Sequence, residues 1–171
     1  ADHADYISFL HEDIPIHMGA GCHLILKALA DRGQRNIERE ILDYKPRPYS
    51  VKDEPISRTI NEFRTGDKFK IGSLEIEPIH VDHSVPSAYG FIIHTSEGAI
   101  AYTGDIRLHG THPEMTQDFI DKAKEVKPIA LISEGTRIAD KETQESEQKV
   151  YEESKKTVSE TDNLVFADFN F

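Results

Sequence analysis

The chain has 171 residues, 37% of them hydrophobic and 30% charged, and a formal net charge of -11 at neutral pH. That is one domain's worth of sequence with enough apolar side chains for a core. Its acidity argues against a broad basic surface for nucleic acid, although a metal site can bring its own positive charge to a phosphate. A single cysteine excludes an internal disulfide, the apolar runs fall short of the ~18 residues a membrane span needs, and a cytoplasmic, reducing setting fits.

At the start, A-D-H-A-D-Y-I-S-F-L places Tyr6, Phe9 and Leu10 on one helical face over 2–11. Residues 14–18 (I-P-I-H-M) predict a short strand, and 19–32 an amphipathic helix stopped by Gly33, with Cys22 as a small buried hydrophobe. The proline- and charge-rich stretch 43–55 reads as a surface connection around a short strand. Alternation through F-R-T-G-D-K-F-K-I-G-S-L-E-I-E-P-I-H-V-D predicts a hairpin, with G-D and I-G as turn signals. Residues 89–94 and 98–102 predict another, closed by T-S-E-G. A helix is expected after Pro113, with Phe119, Ile120, Ala123 and Val126 inward, and then a buried strand over 129–133. Ser146 predicts the cap of a last helix whose Val150, Tyr151, Thr157 and Val158 face inward, and L-V-F-A-D-F carries a strand pattern. Strand pairs followed by strands alternating with helices indicate an α/β layered fold.

Three places put an acid or a histidine at a strand or loop tip: Asp2-His3, His83 in H-V-D-H-S-V-P, and Asp105 in I-A-Y-T-G-D. A strand end is a rigid platform with an open side, and imidazole with carboxylate suits zinc or manganese. His80 competes with His83, but Ser84 and Pro86 follow His83 and put it at the tip. His11, His17 and His23 read as structural, His94 as a surface residue, and His109 or His112 as loop residues after Asp105.

In this order, these motifs resemble the metallo-β-lactamase superfamily. Its hydrolases carry a loop H-x-H-x-D-H, of which Ala1, Asp2 and His3 match the tail, the two leading histidines falling before Ala1. His83 matches the lone metal-binding histidine of the third motif, and Asp105 the bridging carboxylate of the fourth. H-S-V-P-S-A-Y-G-F-I-I-H-T-S-E-G-A-I-A-Y-T-G-D-I-R is similar to the same region of the ribonuclease J family. L-I-S-E-G-T-R resembles the first motif of the β-CASP nucleases, whose acidic residue is Glu134 here, and S-E-Q-K-V-Y-E-E and N-L-V-F-A-D-F resemble the entry into their inserted domain.

The resemblance implies a metallo-β-lactamase-like αββα sandwich over 1–138, cut at both ends, and the start of a β-CASP domain over 139–171. It implies two Zn2+ ions per complete site, with Mn2+ as the alternative: Asp2 and His3 at one, His83 at the other, Asp105 between them. Asp2 and Asp105 would be the catalytic carboxylates, Ser84 would hold phosphate or product, and Glu134 would orient a metal-bound histidine from behind. The implied reaction is hydrolysis of phosphodiester bonds in single-stranded RNA, by endo- or 5′-exonuclease action, with no membrane partner and a homodimer left open. Without the other histidine motifs, the chain alone is expected to bind zinc weakly or not at all and to be inactive. Two alternatives stand beside this: a thioester or lactone hydrolase, against which H-S-V-P and L-I-S-E-G-T-R weigh, and a non-catalytic fragment or scaffold, which the acidic charge favours.

Overall fold

The computed structural model describes residues 2–32, 41–44, 54–136 and 145–167. A 3₁₀ helix (Asp2–Phe9) comes first. With about three residues per turn, it buries Ala4 and half-buries Ile7 on its inner side, while Tyr6 and Phe9 point outward. The Arg58 guanidinium, itself buried, fastens the end of this helix by donating to the carbonyls of Leu10 at 3.1 Å and Ser8 at 3.2 Å. The strand β1 (Ile16–Gly19) then leads into helix α1 (Ala20–Arg32). Two-residue strands β2 (Asp43–Tyr44) and β3 (Ile56–Ser57) pair antiparallel across the proline-rich stretch.

β4 (Ile60–Phe63) does not join a hairpin. It lies parallel to β1, with Ile16 opposite Ile60 and Gly19 opposite Phe63. The turn at Gly66-Asp67 instead carries the chain out of this small sheet, and the Asp67 carboxylate accepts the Arg64 N–H at 2.7 Å. The expected hairpin is therefore only its second half, β5 (Phe69–Ile71) and β6 (Leu74–Val81), turning at Gly72. β7 (Ala88–Thr95) and β8 (Gly98–Tyr102) form the hairpin expected around T-S-E-G, and the Thr95 hydroxyl closes it by donating to the Gly98 carbonyl at 2.8 Å. Helix α2 (Pro113–Val126) crosses back to β9 (Ala130–Ile132), which adds parallel to β8. The large sheet thus has the order β5-β6-β7-β8-β9.

One core lies between this sheet and α2: Ile79, Val81, Ile92, Ala99, Ala101 and Phe119, with Ile106, Ala123 and Val126 packed against it. Another joins Ala4, Ile16, Met18 and Leu26 in the small-sheet half. Phe63 links the halves, its ring centroid 5.0 Å from Tyr89, 5.4 Å from Phe69 and 5.7 Å from Phe91.

Two burial expectations fail. β9 forms, but all of its residues are exposed, because among the described residues only β8 lies beside it. Helix α3 (Glu147–Glu160) forms and Ser146 caps it, accepting the Lys149 N–H at 3.2 Å, yet none of its residues is buried. Val150, Tyr151 and Val158 are 53–59% exposed, since no described element covers that face. Residues 164–167 carry no strand, and 168–171 lie outside the described residues. No helix among the described residues is long and apolar enough to cross a membrane.

Candidate functional site

β6 and β8 each run antiparallel to β7, and β9 runs parallel to β8. The C-terminal ends of β6, β8 and β9 therefore emerge at the same edge of the sheet, and the residues just beyond them are Asp82-His83, Gly104-Asp105 and Ser133-Glu134. Across two strand spacings, roughly 10 Å, the loops turn toward each other. They bring His83 Nε2 within 3.7 Å of Asp105 Oδ2, with each side chain 31% exposed and thus reachable from solvent.

Local chemistry explains why each loop takes its path. After β8 the Thr103 N–H donates to the Ile132 carbonyl at 3.0 Å and its hydroxyl donates to the Gly104 carbonyl at 2.6 Å. Gly104 has φ +57, and a Cβ there would meet the Tyr89 carbonyl oxygen at 2.9 Å, so only glycine suits this bend. Past Asp105, Ile106 drops its side chain into the α2-side core, while its N–H donates to Glu134 Oε1 at 2.7 Å. Glu134 thus holds the backbone beside Asp105. In the other loop the Ser84 hydroxyl lies 3.3 Å from His83 Nε2, and Ser87 closes the turn into β7 with φ 68.

A cavity of about 440 Å³ opens beside this pair, with Ala4, Ile7, Met18, Tyr89, Phe91 and Tyr102 on its walls. The 3₁₀ helix bearing Asp2 and His3 borders it through Ala4 and Ile7. The side chains of Asp2 and His3 themselves lie outside the described residues. The rival histidine is spoken for: His80 stacks on Tyr89 at 4.4 Å, and burial pulls its pKa below the ordinary imidazole value. His17 stacks on Phe69 at 4.5 Å, and His23 Nδ1 lies 2.6 Å from Glu62 Oε1, as structural histidines do. His94 is not a plain surface residue; it is half-buried, 3.6 Å from Glu77. His112 pairs with its neighbour Glu114 at 3.0 Å, and the His109 carbonyl receives the Glu147 N–H at 3.1 Å. Cys22 lines the cavity, and burial pushes its thiol pKa up, which makes it a poor nucleophile.

One imidazole nitrogen and one carboxylate oxygen 3.7 Å apart can serve the same cation, and this donor set fits zinc or manganese. Among the described residues no His, Cys, Asp or Glu completes a group of three. Sequence reasoning passed over Asp82 and Arg107, neighbours of the two site residues; the signal for Asp82 was only a charged residue at the end of a buried strand, V-D-H, and Arg107 in D-I-R gave none.

In sequence, the chain is similar to nucleases, over part of its length. The relatives include ribonuclease J of Sinorhizobium meliloti, 25% identical over 109 residues, which is 62% of this chain and 19% of that protein. Ribonuclease J of Pyrococcus abyssi is 33% identical over 78 residues (44% of this chain, 17% of that protein), and ribonuclease J 2 of Staphylococcus saprophyticus is 31% identical over 108 residues (60% and 17%). The chain thus spans less than a fifth of the length of these relatives. No family model matches. Among solved structures, a protein of unknown function from Enterococcus faecalis V583 superposes with a TM-score of 0.70 at 28% identity, covering 90% of this chain and 35% of that one.

Proposed function

We propose that the chain carries part of the active site of a metal-dependent hydrolase of RNA phosphodiester bonds, in a metallo-β-lactamase-like, β-CASP-type setting. The observation that carries this reading is the His83–Asp105 pair at 3.7 Å, delivered from two parallel strand ends beside an open cavity. The sequence similarity to ribonuclease J supports RNA as the substrate.

His83 and Asp105 would hold divalent ions together with Asp2 and His3. Bound there, such ions lower the pKa of water toward neutrality and offset charge on phosphate oxygens. The chain's own groups do the rest. The backbone beside Asp105, anchored by the Ile106 N–H on Glu134, would hold the strand end from which its carboxylate reaches the ions. The Ser84 hydroxyl, free to rotate, can donate to a phosphate oxygen held next to His83. Asp2 would accept a proton from the attacking water.

Equilibrium dialysis against Zn2+, followed by incubation with 5′-labelled single-stranded RNA, tests the reading. Weak zinc retention by the chain, lost in both Asp105→Ala and His83→Ala, is the expected result. RNA cleavage that survives strong chelation or the Asp105→Ala change would contradict it. A second reading, a scaffold that keeps the fold without the metals, is favoured by the acidic charge. It predicts no retained zinc in any variant.

A further inference from the structure

Asp82 immediately precedes His83, and Arg107 lies two positions after Asp105. The two meet underneath the site. Asp82 is 5% exposed, a rare state for a carboxylate. Arg107 Nη2 donates to Asp82 Oδ1 at 3.2 Å, the Arg107 N–H donates to the Asp82 carbonyl at 2.9 Å, and the Asp82 N–H donates to Thr116 Oγ1 of α2 at 2.9 Å. Side chain and backbone together therefore tie the His83 loop to the Asp105 loop, and both to a fully buried position on α2.

The pair is an inefficient way to gain stability alone. Asp82 Oδ2 and Arg107 Nε are buried without a hydrogen-bond partner among the described residues. A buried ion pair left partly unsatisfied is commonly no better than apolar side chains of the same size. Gly110 closes over both orphaned atoms, and a Cβ there would overlap each of them, so the loop after Asp105 is shaped around the pair. The far side of the same guanidinium reaches Glu147, the first residue of α3.

We infer that Asp82 and Arg107 are positioning residues, a buried strut that sets the separation of His83 and Asp105. For its consequence in catalysis the inference rests on the metal-site reading above, while the strut itself acts on the two loops whether or not metal binds. Neither residue touches the reacting atoms; each acts through its neighbour.

The test uses the whole chain with Arg107→Lys, Arg107→Met, Asp82→Asn and the double variant Asp82→Asn/Arg107→Met. Three readouts are needed: Zn2+ affinity by competition with a chromophoric chelator, amide hydrogen exchange at Ser84 and Ile106, and exchange in the β7–β8 ladder at Ile92 and Ala101. Arg107→Met and Asp82→Asn should each weaken Zn2+ binding by roughly tenfold, as loss of a partner behind a ligand does, and speed exchange at Ser84 and Ile106 while leaving Ile92 and Ala101 protected. Arg107→Lys, which keeps charge but loses the planar fork, should recover part of the loss. The double variant should be no worse than the poorer single one. Unchanged loop exchange in folded variants, additive losses, or exchange rising equally in the ladder would overturn the inference. If the unaltered chain binds no Zn2+, which a chain without the other histidine motifs allows, exchange at Ser84 and Ile106 decides the strut by itself. Should Arg107→Met not fold, the near-isosteric Asp82→Asn and Arg107→Lys carry the same comparison.

Discussion

Helices α2 and α3 have the same length, fourteen residues, and both place apolar side chains at helical spacing, but only α2 is packed. It buries Thr116 and Phe119 against the sheet, and Lys122 reaches across to Glu77 of β6 at 3.6 Å. Among the described residues, α3 is held at its first turn, by Glu147 on Arg107 and by its N–H on the His109 carbonyl. An apolar stripe shows that a helix has a face to bury; it does not show that a partner is present to bury it. The site follows the packed half, because His83 and Asp105 leave strands whose register α2 and the β6–β7–β8 ladder hold in place, while Glu134 follows β9, paired to β8.

Changes in the packed half should therefore cost far more than changes of equal size in α3. The largest effect belongs to the site. Asp105→Ala should lower Zn2+ binding, and any metal-dependent RNA cleavage, by more than ~100-fold, since outer partners alone are worth 10–100-fold. Next comes the core. Phe119→Ala should destabilise by about 3–5 kcal/mol in urea denaturation, whereas Tyr151→Ala on α3 should cost under about 0.5 kcal/mol. Equal costs for the two would break the comparison. Gly90→Ala sharpens it, because a Cβ there would sit 2.7 Å from the Phe119 ring and either lift α2 or push the ring off its rotamer. About 1–3 kcal/mol is the expected penalty. Ser146→Ala removes the α3 cap and should lower helix content by circular dichroism, at ~1 kcal/mol of local stability, with little change in the cooperative midpoint.

Acid should separate the halves as well. Burial raises the Glu77 pKa, but the Lys122 and Lys68 ammoniums outweigh it and hold the carboxyl below its ordinary value. A carboxylate depressed in the folded state contributes stability that is complete above its unfolded pKa, about 4.3, and is lost as pH falls through the folded value. The midpoint of thermal unfolding should thus drop on acidification in that range, and Glu77→Gln should flatten the drop while lowering stability at neutral pH.

What the sequence made legible was short in range. Alternation around T-S-E-G fixes the β7–β8 hairpin, and that hairpin fixes where T-G-D ends, so the place of Asp105 just past a strand end followed from local pattern, while its proposed role came from the order of the motifs. His83 was separable from His80 because proline and serine behind it break the strand. The parallel pairing of β4 with β1 was not legible: two short strands distant along the chain meet, and no turn signal records it. The exposure of β9 and α3 was hidden for the opposite reason, since their composition matches buried elements. The Asp82–Arg107 contact was also long-range, and Asp82 reads as an ordinary loop residue until its neighbours surround it.

The most direct test follows the nine imidazoles by heteronuclear NMR as Zn2+ is added to the isotope-labelled chain. The account predicts that the His83 ring nitrogens shift among the first, and that Asp105→Ala suppresses the change. Zinc that binds while His83 stays silent, or a His83 response indifferent to Asp105→Ala, would contradict it.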